Sequence, residues 1–258
     1  MARIKDSEFW AKFGKKPAQR DTRNLKFGAL LAKAPKLPSS FDFDEKNIAV
    51  PTPMYGNDEH GDCVIAGRAH QTLRFEYVEQ HKLLKVTEAD VLRQWRKENG
   101  HTEDGLVVLD SLKLWRKKGW KAAGRTLKIK AFTELNLKKH EEIKRAIVMQ
   151  VGVGIGLTLP FNALPLFQAG KPWDVVSGAG AKPDPEGGHY VYCPGYTQAG
   201  PVCVTWGRKQ QLSWRFFDRY CDEAYAIVDE KDAAAKKARS GGKLDYALLD
   251  RQLKTATE

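Results

Sequence analysis

Cysteine is scarce in this chain, with four among 258 residues. They are Cys63, Cys193, Cys203 and Cys221, and no two of them form a C-x-x-C pair. This spacing excludes the common zinc-binding modules and the dense disulfide scaffold of a small secreted domain. A chain of this length can bury a core without such cross-links. We therefore expect reduced cysteines and a reducing compartment.

Long apolar runs are also missing. The stretch "FGALLAKA" (27–34) is short and follows mostly polar residues, which is unlike a signal peptide. No segment reaches the roughly 18 apolar residues of a membrane-spanning helix. These absences predict a cytoplasmic protein with no membrane partner, and they do not fix an oligomeric state.

Acidic residues are few at both ends of the chain. The net charge is +11, and residues 1–36 carry ten Lys/Arg against three Asp/Glu, while residues 231–258 carry seven against four. Residues 37–230 are nearly balanced, with 26 basic and 25 acidic residues. We predict a basic N-terminal extension (1–36), a globular body (37–230) and a basic, helical C-terminal tail (231–258). Such ends can contact polyanions, although they more often serve solubility.

Helical patterns dominate the first half of the body. Apolar residues after Cys63 recur at helical spacing, at Ala66, Ala69, Leu73 and Tyr77, which predicts a helix that begins near the cysteine. Further helices are predicted over 87–98 and 107–118. Thr87 followed by Asp90 resembles a helix start, and Gly119 is suited to a helix end.

Strand patterns dominate the second half. Short apolar stretches between Gly/Pro-rich turns predict strands at 146–157, 189–196, 201–207 and 225–229. Gly152, Gly154 and Gly156 do not form a G-x-G-x-x-G nucleotide loop, because Leu157 stands where the third glycine is needed and no helix pattern follows. We interpret them as part of a tightly packed strand.

The loop "YGNDEHGDCVIAG" (55–67) places Cys63 where the predicted helix begins. Unpaired N–H groups and the helix dipole at such a position lower a thiol pKa below its free value of about 8.5. A nucleophile also needs a base, and His189 in "EGGHYVYC" lies beside two glycines that permit close approach. A metal site of His60, Cys63 and His189 is a weaker alternative, because no second ligand pair with zinc-like spacing follows. We predict no metal and no cofactor.

Five ordered segments resemble the papain-like cysteine peptidases, and the chain is similar to a divergent bacterial or phage-type member of that superfamily. The segments are "LPSSFDFDEKNIAVPTPMYGNDEHGDCVIAG" (37–67), "EDGLVVLDSLKLWRKKGW" (103–120), "GGHYVYCPGY" (187–196), "VTWG" (204–207) and "YCDEAYAIV" (220–228). The resemblance implies a two-lobed α+β fold, in which an active-site cleft separates a helical lobe from a β-barrel-like lobe.

The resemblance also implies roles for individual residues. Cys63 matches the nucleophile and His189 the acid/base, while Asn57 stands where the family has its oxyanion glutamine. Gly105 matches a glycine whose backbone pairs with an extended substrate, and Trp206 matches the indole that shields the histidine. The predicted substrate-binding residues are Gly105, Asp104, Gly61, Gly188 and Trp206.

Two departures from the family pattern concern the catalytic residues. Val64 replaces the tryptophan that follows the nucleophile, and Val204 replaces the asparagine that orients the histidine. If residue 204 faces the imidazole, strand alternation turns Thr205 away. The site would then be a dyad, or would use Asp184 or Glu186 as the orienting group.

These patterns favour a cysteine-dependent hydrolase of peptide or isopeptide bonds, with a peptide or protein as its substrate. The alternative is a catalytically impaired papain-like pseudoenzyme that binds peptides or proteins, as the missing orienting asparagine suggests. Nucleic-acid binding through the basic ends is a weaker third possibility.

Overall fold

The computed structural model describes residues 11–46, 50–231 and 240–255. Parts of both predicted basic ends, at 1–10, 232–239 and 256–258, lie outside the described residues. The helices in the described ranges are α1 (Phe27–Leu30), α2 (Phe43–Lys46), α3 (Cys63–Gln80), α4 (Glu88–Glu98), α5 (Val108–Lys118), α6 (His140–Met149), α7 (Ala163–Gln168), α8 (Trp214–Tyr220) and α9 (Tyr246–Thr255). None of these helices has the length and apolar character that crossing a bilayer requires.

One antiparallel sheet organises the second half of the chain. The strands are β1 (Leu31–Lys33), β2 (Phe41–Asp42), β3 (Trp120–Ala122), β4 (Arg125–Leu127), β5 (Ile129–Glu134), β6 (Val153–Pro160), β7 (Pro183–Tyr196), β8 (Pro201–Thr205), β9 (Arg208–Gln211), β10 (Cys221–Asp229) and β11 (Lys243–Leu244). The main sheet has the order β5-β10-β6-β7-β8-β9, and β2 pairs with the end of β7. Leu157 of β6 pairs with His189 of β7, so the predicted base lies inside this sheet.

Helix α3 connects the helical half to the sheet, because it packs against β7. Ala66, Ala69 and Leu73 of the predicted apolar stripe are all buried. The helix also buries Arg74, whose guanidinium makes two hydrogen bonds to the Asp44 carboxylate at 2.8 and 2.7 Å. This bidentate pair fixes α3 against the segment that precedes the active-site loop.

Most predicted elements are confirmed. Helices over 88–98 and 108–118 match the predictions, and Thr87 and Asp90 form a reciprocal capping box at the start of α4. The strands predicted at 189–196, 201–207 and 225–229 fall in β7, β8 and β10. All four cysteines are free.

The strand predicted over 146–157 is wrong in its first part. Residues up to Met149 belong to α6, in which Ile143, Ala146 and Ile147 are buried at helical spacing. The strand begins only at Val153. A Cβ on Gly154 would lie 1.7 Å from the Tyr190 hydroxyl oxygen, so this glycine permits the tight strand packing that the sequence predicted.

The two ends of the chain pack together. Phe27 and Leu30 of α1 are fully buried, and β1 pairs with β11 through Leu31 and Leu244. The described part of the C-terminal tail contains the helix α9, whereas most of the stretch 232–243, where the helix was expected, lies outside the described residues. Residues of both predicted ends contribute to the packed structure. The domain boundaries at residues 36 and 231 stay a prediction.

Candidate active site

The start of α3, which carries Cys63, packs against β7, which carries His189. Cys63 is the first residue of α3, and its Sγ accepts a hydrogen bond from the backbone N–H of Tyr190 at 3.4 Å. Tyr190 directly follows His189 in β7. The helix start and the histidine strand, 126 residues apart in the sequence, are therefore neighbours in the fold.

The His189 ring is held on one nitrogen and on one face. Nε2 lies 2.7 Å from the Thr205 hydroxyl oxygen, and the Trp206 ring stacks on the imidazole with centroids 4.4 Å apart. Nδ1 is buried and has no hydrogen-bond partner among the described residues. If the hydroxyl accepts from Nε2–H, Nδ1 is the basic nitrogen. The ring is then in the tautomer that can take a proton from a thiol.

The expectation that Thr205 points away from His189 is wrong. Thr205 ends β8 and faces the imidazole, so alternation turns its buried neighbour Val204 to the opposite face. The pairing of β7 with β8 shifts register beyond Tyr192, an irregularity that the sequence pattern does not reveal. Asp184 accepts a hydrogen bond from the Glu186 backbone, and neither carboxylate contacts His189 within the described ranges.

Residues 12–16 lie in the cleft between the two walls, and we call them the groove segment. On the helical wall, Leu106 N–H donates to the Gly14 carbonyl at 2.7 Å, and Lys16 N–H donates to the Leu106 carbonyl at 2.9 Å. On the sheet wall, the Gly188 carbonyl accepts from the N–H groups of Gly14 and Lys15 at 3.0 and 2.9 Å. An extended stretch of this chain thus joins both walls by main-chain hydrogen bonds.

Three of the predicted substrate-binding residues are glycines that contact the groove segment at close range. A Cβ on Gly105 would lie 2.1 Å from the Gly14 carbonyl oxygen, and one on Gly188 would lie 2.0 Å from the Lys15 carbonyl oxygen. Gly61 is packed against Phe13 and Gly14. Any side chain at these positions would displace the segment, so the groove is built for a closely held backbone.

The other predicted site residues also border the groove. Asp104 forms an exposed ion pair with Lys16 at 3.4 Å, which contributes little to stability. Asn57 is buried, and its side-chain amide donates to the carbonyls of His60 at 3.0 Å and Lys12 at 3.3 Å. The Asn57 amide therefore reaches a carbonyl oxygen of a chain in the groove, and its oxyanion role stays a prediction.

Burial determines the electrostatics of Cys63 and His189. Cys63 is only 1% exposed, and burial raises the pKa of its thiol to about 12, partly opposed by the N–H groups of Tyr190 and Gly14. Burial lowers the pKa of His189 to about 3. The expected lowering of the thiol pKa is thus wrong for the covered groove, because loss of water outweighs the helix dipole. Both groups are neutral at pH 7.

Asp62 is a further buried acid beside the nucleophile. It is fully buried, and a side-chain hydrogen bond from Asn57 and a backbone N–H only partly oppose the effect of burial on its carboxyl group. Burial raises the pKa of Asp62 to about 8. The residue before Cys63 is therefore largely protonated at pH 7, so it places little negative charge next to the thiol.

Three residues of this region were not identified from the sequence. Thr205 orients His189, and Asp222 and Glu223 bind the Lys15 side chain that leaves the groove. The acidic pair stands in the "YCDEAYAIV" segment, which was matched to a family strand without a role for its carboxylates. Lys15 is 207 residues away from Asp222, so no local pattern connects them.

Comparison with known proteins identifies the fold. No protein-family model and no curated protein matches the sequence. Among solved structures, xylellain, a cysteine protease from Xylella fastidiosa, is 15% identical with a TM-score of 0.61, and the match covers 89% of this chain and 98% of xylellain.

Two other similar structures are plant and protozoan proteins. The Carica candamarcensis cysteine protease CMS1MS2, in complex with E-64, is 15% identical with a TM-score of 0.56, covering 75% of this chain and 99% of that one. Procathepsin B S9 from Trypanosoma congolense is 16% identical with a TM-score of 0.53, covering 76% and 78%. At these identities the likeness establishes the fold. The chain therefore has the two-lobed α+β fold of the papain-like cysteine peptidases.

Proposed function

We propose that this chain is a cysteine-dependent hydrolase of peptide or isopeptide bonds, and that its own groove segment keeps it latent. The observation that carries the proposal is the groove segment itself. An extended polypeptide lies beside Cys63, and Leu106 and Gly188 hydrogen-bond to its backbone from opposite walls. A groove that holds one polypeptide in this way can hold another, and xylellain and CMS1MS2, which are similar in structure, are cysteine proteases.

In the proposed reaction, a substrate replaces the groove segment. The Cys63 proton passes to His189 Nδ1 as Sγ forms a bond to the substrate carbonyl carbon, and the carbonyl oxygen becomes an oxyanion. The Asn57 amide and the Cys63 backbone N–H are the proposed oxyanion donors. His189 then protonates the leaving amine as the C–N bond breaks, and water hydrolyses the thioester with return of the proton to sulfur.

The position of the groove segment supports latency rather than self-cleavage. The N–H group of Gly14 contacts the Cys63 sulfur, whereas attack requires a carbonyl carbon there. Phe13 adds a second block, because its ring lies edge-on to His189 and Trp206, with centroids 6.0 and 5.8 Å away. The segment thus covers the reacting groups without offering them a bond to cut.

The pseudoenzyme alternative has one observation in its favour. The thiol is buried and its pKa is raised to about 12, which is opposite to an activated nucleophile. The two functions predict different outcomes once the groove is uncovered. A hydrolase gains an ionisable thiol and turnover, whereas a binding module gains only affinity for peptides.

The test uses full-length protein carrying Gly14→Ala. A Cβ at Gly14 would lie 1.8 Å from the Gly61 carbonyl oxygen, so the substitution displaces the groove segment. We expect Gly14→Ala to release fluorescent fragments from a dye-labelled unfolded protein, and Gly14→Ala/Cys63→Ala to release none. Equal, background-level release by both variants, together with saturable peptide binding, would support the pseudoenzyme instead.

A further inference from the structure

The side chain of Lys15 leaves the groove and enters a pocket in the sheet wall. This side chain is 1% exposed, and its Nζ lies 2.9 Å from Asp222 Oδ2 and 3.4 Å from Glu223 Oε1. The Lys15 backbone stays in the groove, where its N–H donates to Gly188. The pocket is therefore directly accessible to a side chain of a polypeptide whose backbone lies in the groove.

The pocket is shaped for a long, unbranched side chain. A Cβ on Gly156 would lie 2.3 Å from Lys15 Cε and 2.6 Å from Glu223 Cγ, so the absence of a side chain at Gly156 leaves room for the lysine stem. Thr158 donates its hydroxyl to Asp222 Oδ2 at 3.0 Å, which holds one carboxylate in place. The walls belong to β6 and β10 and are independent of the groove segment.

The pocket contains two acidic side chains, Asp222 and Glu223, and one ammonium group, that of Lys15. Glu223 is 5% exposed, and burial raises the pKa of its carboxyl group to about 7, opposed by the Lys15 ammonium group and by a side-chain hydrogen bond with Tyr225. Its one described ion-pair partner is Lys15. When the groove segment leaves, the two acidic groups lose that ammonium group, and Glu223 takes up a proton because only Lys15 and the Tyr225 hydrogen bond oppose the effect of burial on its pKa. An incoming side chain that restores the positive charge is favoured over a neutral one of equal size.

We propose that Asp222 and Glu223 form a specificity pocket that selects peptide substrates with a lysine side chain. This inference rests on the proposed function, because it assigns the substrate class of the same groove. The groove segment occupies the pocket as an internal mimic of such a substrate. Leu106 and Gly188 offer their main-chain groups to an external peptide as well, although a cleavable peptide lies in a different register because its carbonyl carbon has to face Cys63.

Binding can test the pocket without any turnover. The receptor is full-length Gly14→Ala/Cys63→Ser, in which the groove is open and the thiol is absent. The ligands are dye-labelled peptides with the sequence of residues 11–18, "AKFGKKPA", carrying lysine, norleucine or glutamate at the position of Lys15. We expect the lysine peptide to bind at least about tenfold more tightly than the norleucine peptide by fluorescence anisotropy, and the glutamate peptide to bind most weakly.

The pocket residues are then changed in the same receptor. Asp222→Asn with Glu223→Gln should reduce the lysine preference to less than about twofold while norleucine binding is retained. Asp218→Asn, at an exposed carboxylate of α8, is the matched control and should leave the preference intact. Equal binding of all three peptides, or a lysine preference that survives the double change, would overturn the proposal.

Cleavage separates this inference from the proposed function. Gly14→Ala with Cys63 intact is given matched fluorogenic substrates that differ only by lysine or norleucine at the pocket position. Faster cleavage of the lysine substrate supports both proposals. Absence of cleavage of either substrate would overturn the hydrolase, and the anisotropy result would still decide the pocket.

Discussion

The Thr205 hydroxyl lies 2.7 Å from Nε2 of His189, at the place where the papain-like pattern leads one to expect an asparagine from position 204. A hydroxyl can accept from the imidazole N–H as an amide oxygen does. A hydroxyl group one position further along the strand thus contacts the imidazole where the family pattern has an asparagine. This contact supports the proposed hydrolase, and its removal tests that proposal.

The Thr205 contact can be tested by removing the hydroxyl. Thr205→Val leaves a buried imidazole N–H without a partner, and we expect about ten- to a hundredfold slower turnover in a Gly14→Ala background. Thr205→Ser keeps the hydroxyl and should retain most activity. Val204→Asn should give no gain, because that side chain faces away from His189. Normal turnover by Thr205→Val would show that the hydroxyl does not orient the ring.

Uncovering the groove should change the reactivity of Cys63. In wild type we expect slow alkylation of Cys63 by iodoacetamide at pH 7.5, because the thiol is buried and its pKa is raised to about 12. Gly14→Ala should accelerate its labelling by at least about tenfold, as water returns to the helix start. Peptide-level mass spectrometry reports each cysteine separately.

The control for this experiment is Gly180→Ala. A Cβ there would lie 3.2 Å from the Asn162 side chain, so the change adds the same methyl group without displacing backbone in the groove. Cys193 and Cys203, both buried in the core, should stay unlabelled in every variant. Fast Cys63 labelling in wild type would contradict the covered groove.

Stability should depend on pH through Asp62. An unfolded aspartate has a pKa of about 4, whereas burial raises the pKa of Asp62 in the fold to about 8. The folded chain holds this proton more tightly, so the contribution of Asp62 to the free energy of unfolding falls as the pH rises from about 4 to about 8. Asp62→Asn removes this loss. The gain in the free energy of unfolding of the variant over wild type should therefore be larger at pH 9 than at pH 5, by on the order of a few kcal/mol.

Urea unfolding of wild type and variant at pH 5, 7 and 9 measures this difference. Glu59→Gln, in the same loop and exposed, is the matched control and should show no such trend. Burial also lowers the pKa of His189 and of His70 to about 3, which destabilises the fold below about pH 6.5. Parallel pH profiles for Asp62→Asn and wild type would contradict the assignment of a buried, proton-holding Asp62.

The N-terminal residues differ in their importance to stability. Leu30 is fully buried, and its helix α1 packs against α6 and α9, so Leu30→Ala should cost about 2–5 kcal/mol in the free energy of unfolding. Leu37→Ala is the same change at a half-buried site and should cost less. Equal losses in chemical denaturation would mean that α1 is not part of the cooperative core.

Local patterns in the sequence predicted the elements that depend on near neighbours. The capping box of Thr87 and Asp90 identified the start of α4, and the glycines of β6 matched a tightly packed strand. The order of motifs also indicated the papain-like fold, in which the start of α3 packs against β7. In α6, by contrast, the apolar run beginning at Ala146 resembled a strand, and only the spacing from Ile143 shows its helical period.

Local sequence patterns could not predict the contacts between segments that are far apart in the chain. The groove segment pairs with Leu106 and Gly188 through its backbone, and backbone hydrogen bonds leave no signature in side-chain periodicity. The Lys15 pocket joins residues 207 positions apart. Thr205 was misassigned because the alternation argument started from position 204, whereas the register of the folded strand puts residue 205 towards His189.

The pairing of β1 with β11 has a consequence for how the groove segment competes with substrate. It fixes the chain near Leu31, so residues 12–16 remain on a short tether when they leave the groove, at an effective concentration of about millimolar. Latency in the intact chain should then be unaffected by dilution of the protein. A cut between residues 17 and 24 would make rebinding bimolecular, and activity assayed over a dilution series should rise only after that cut.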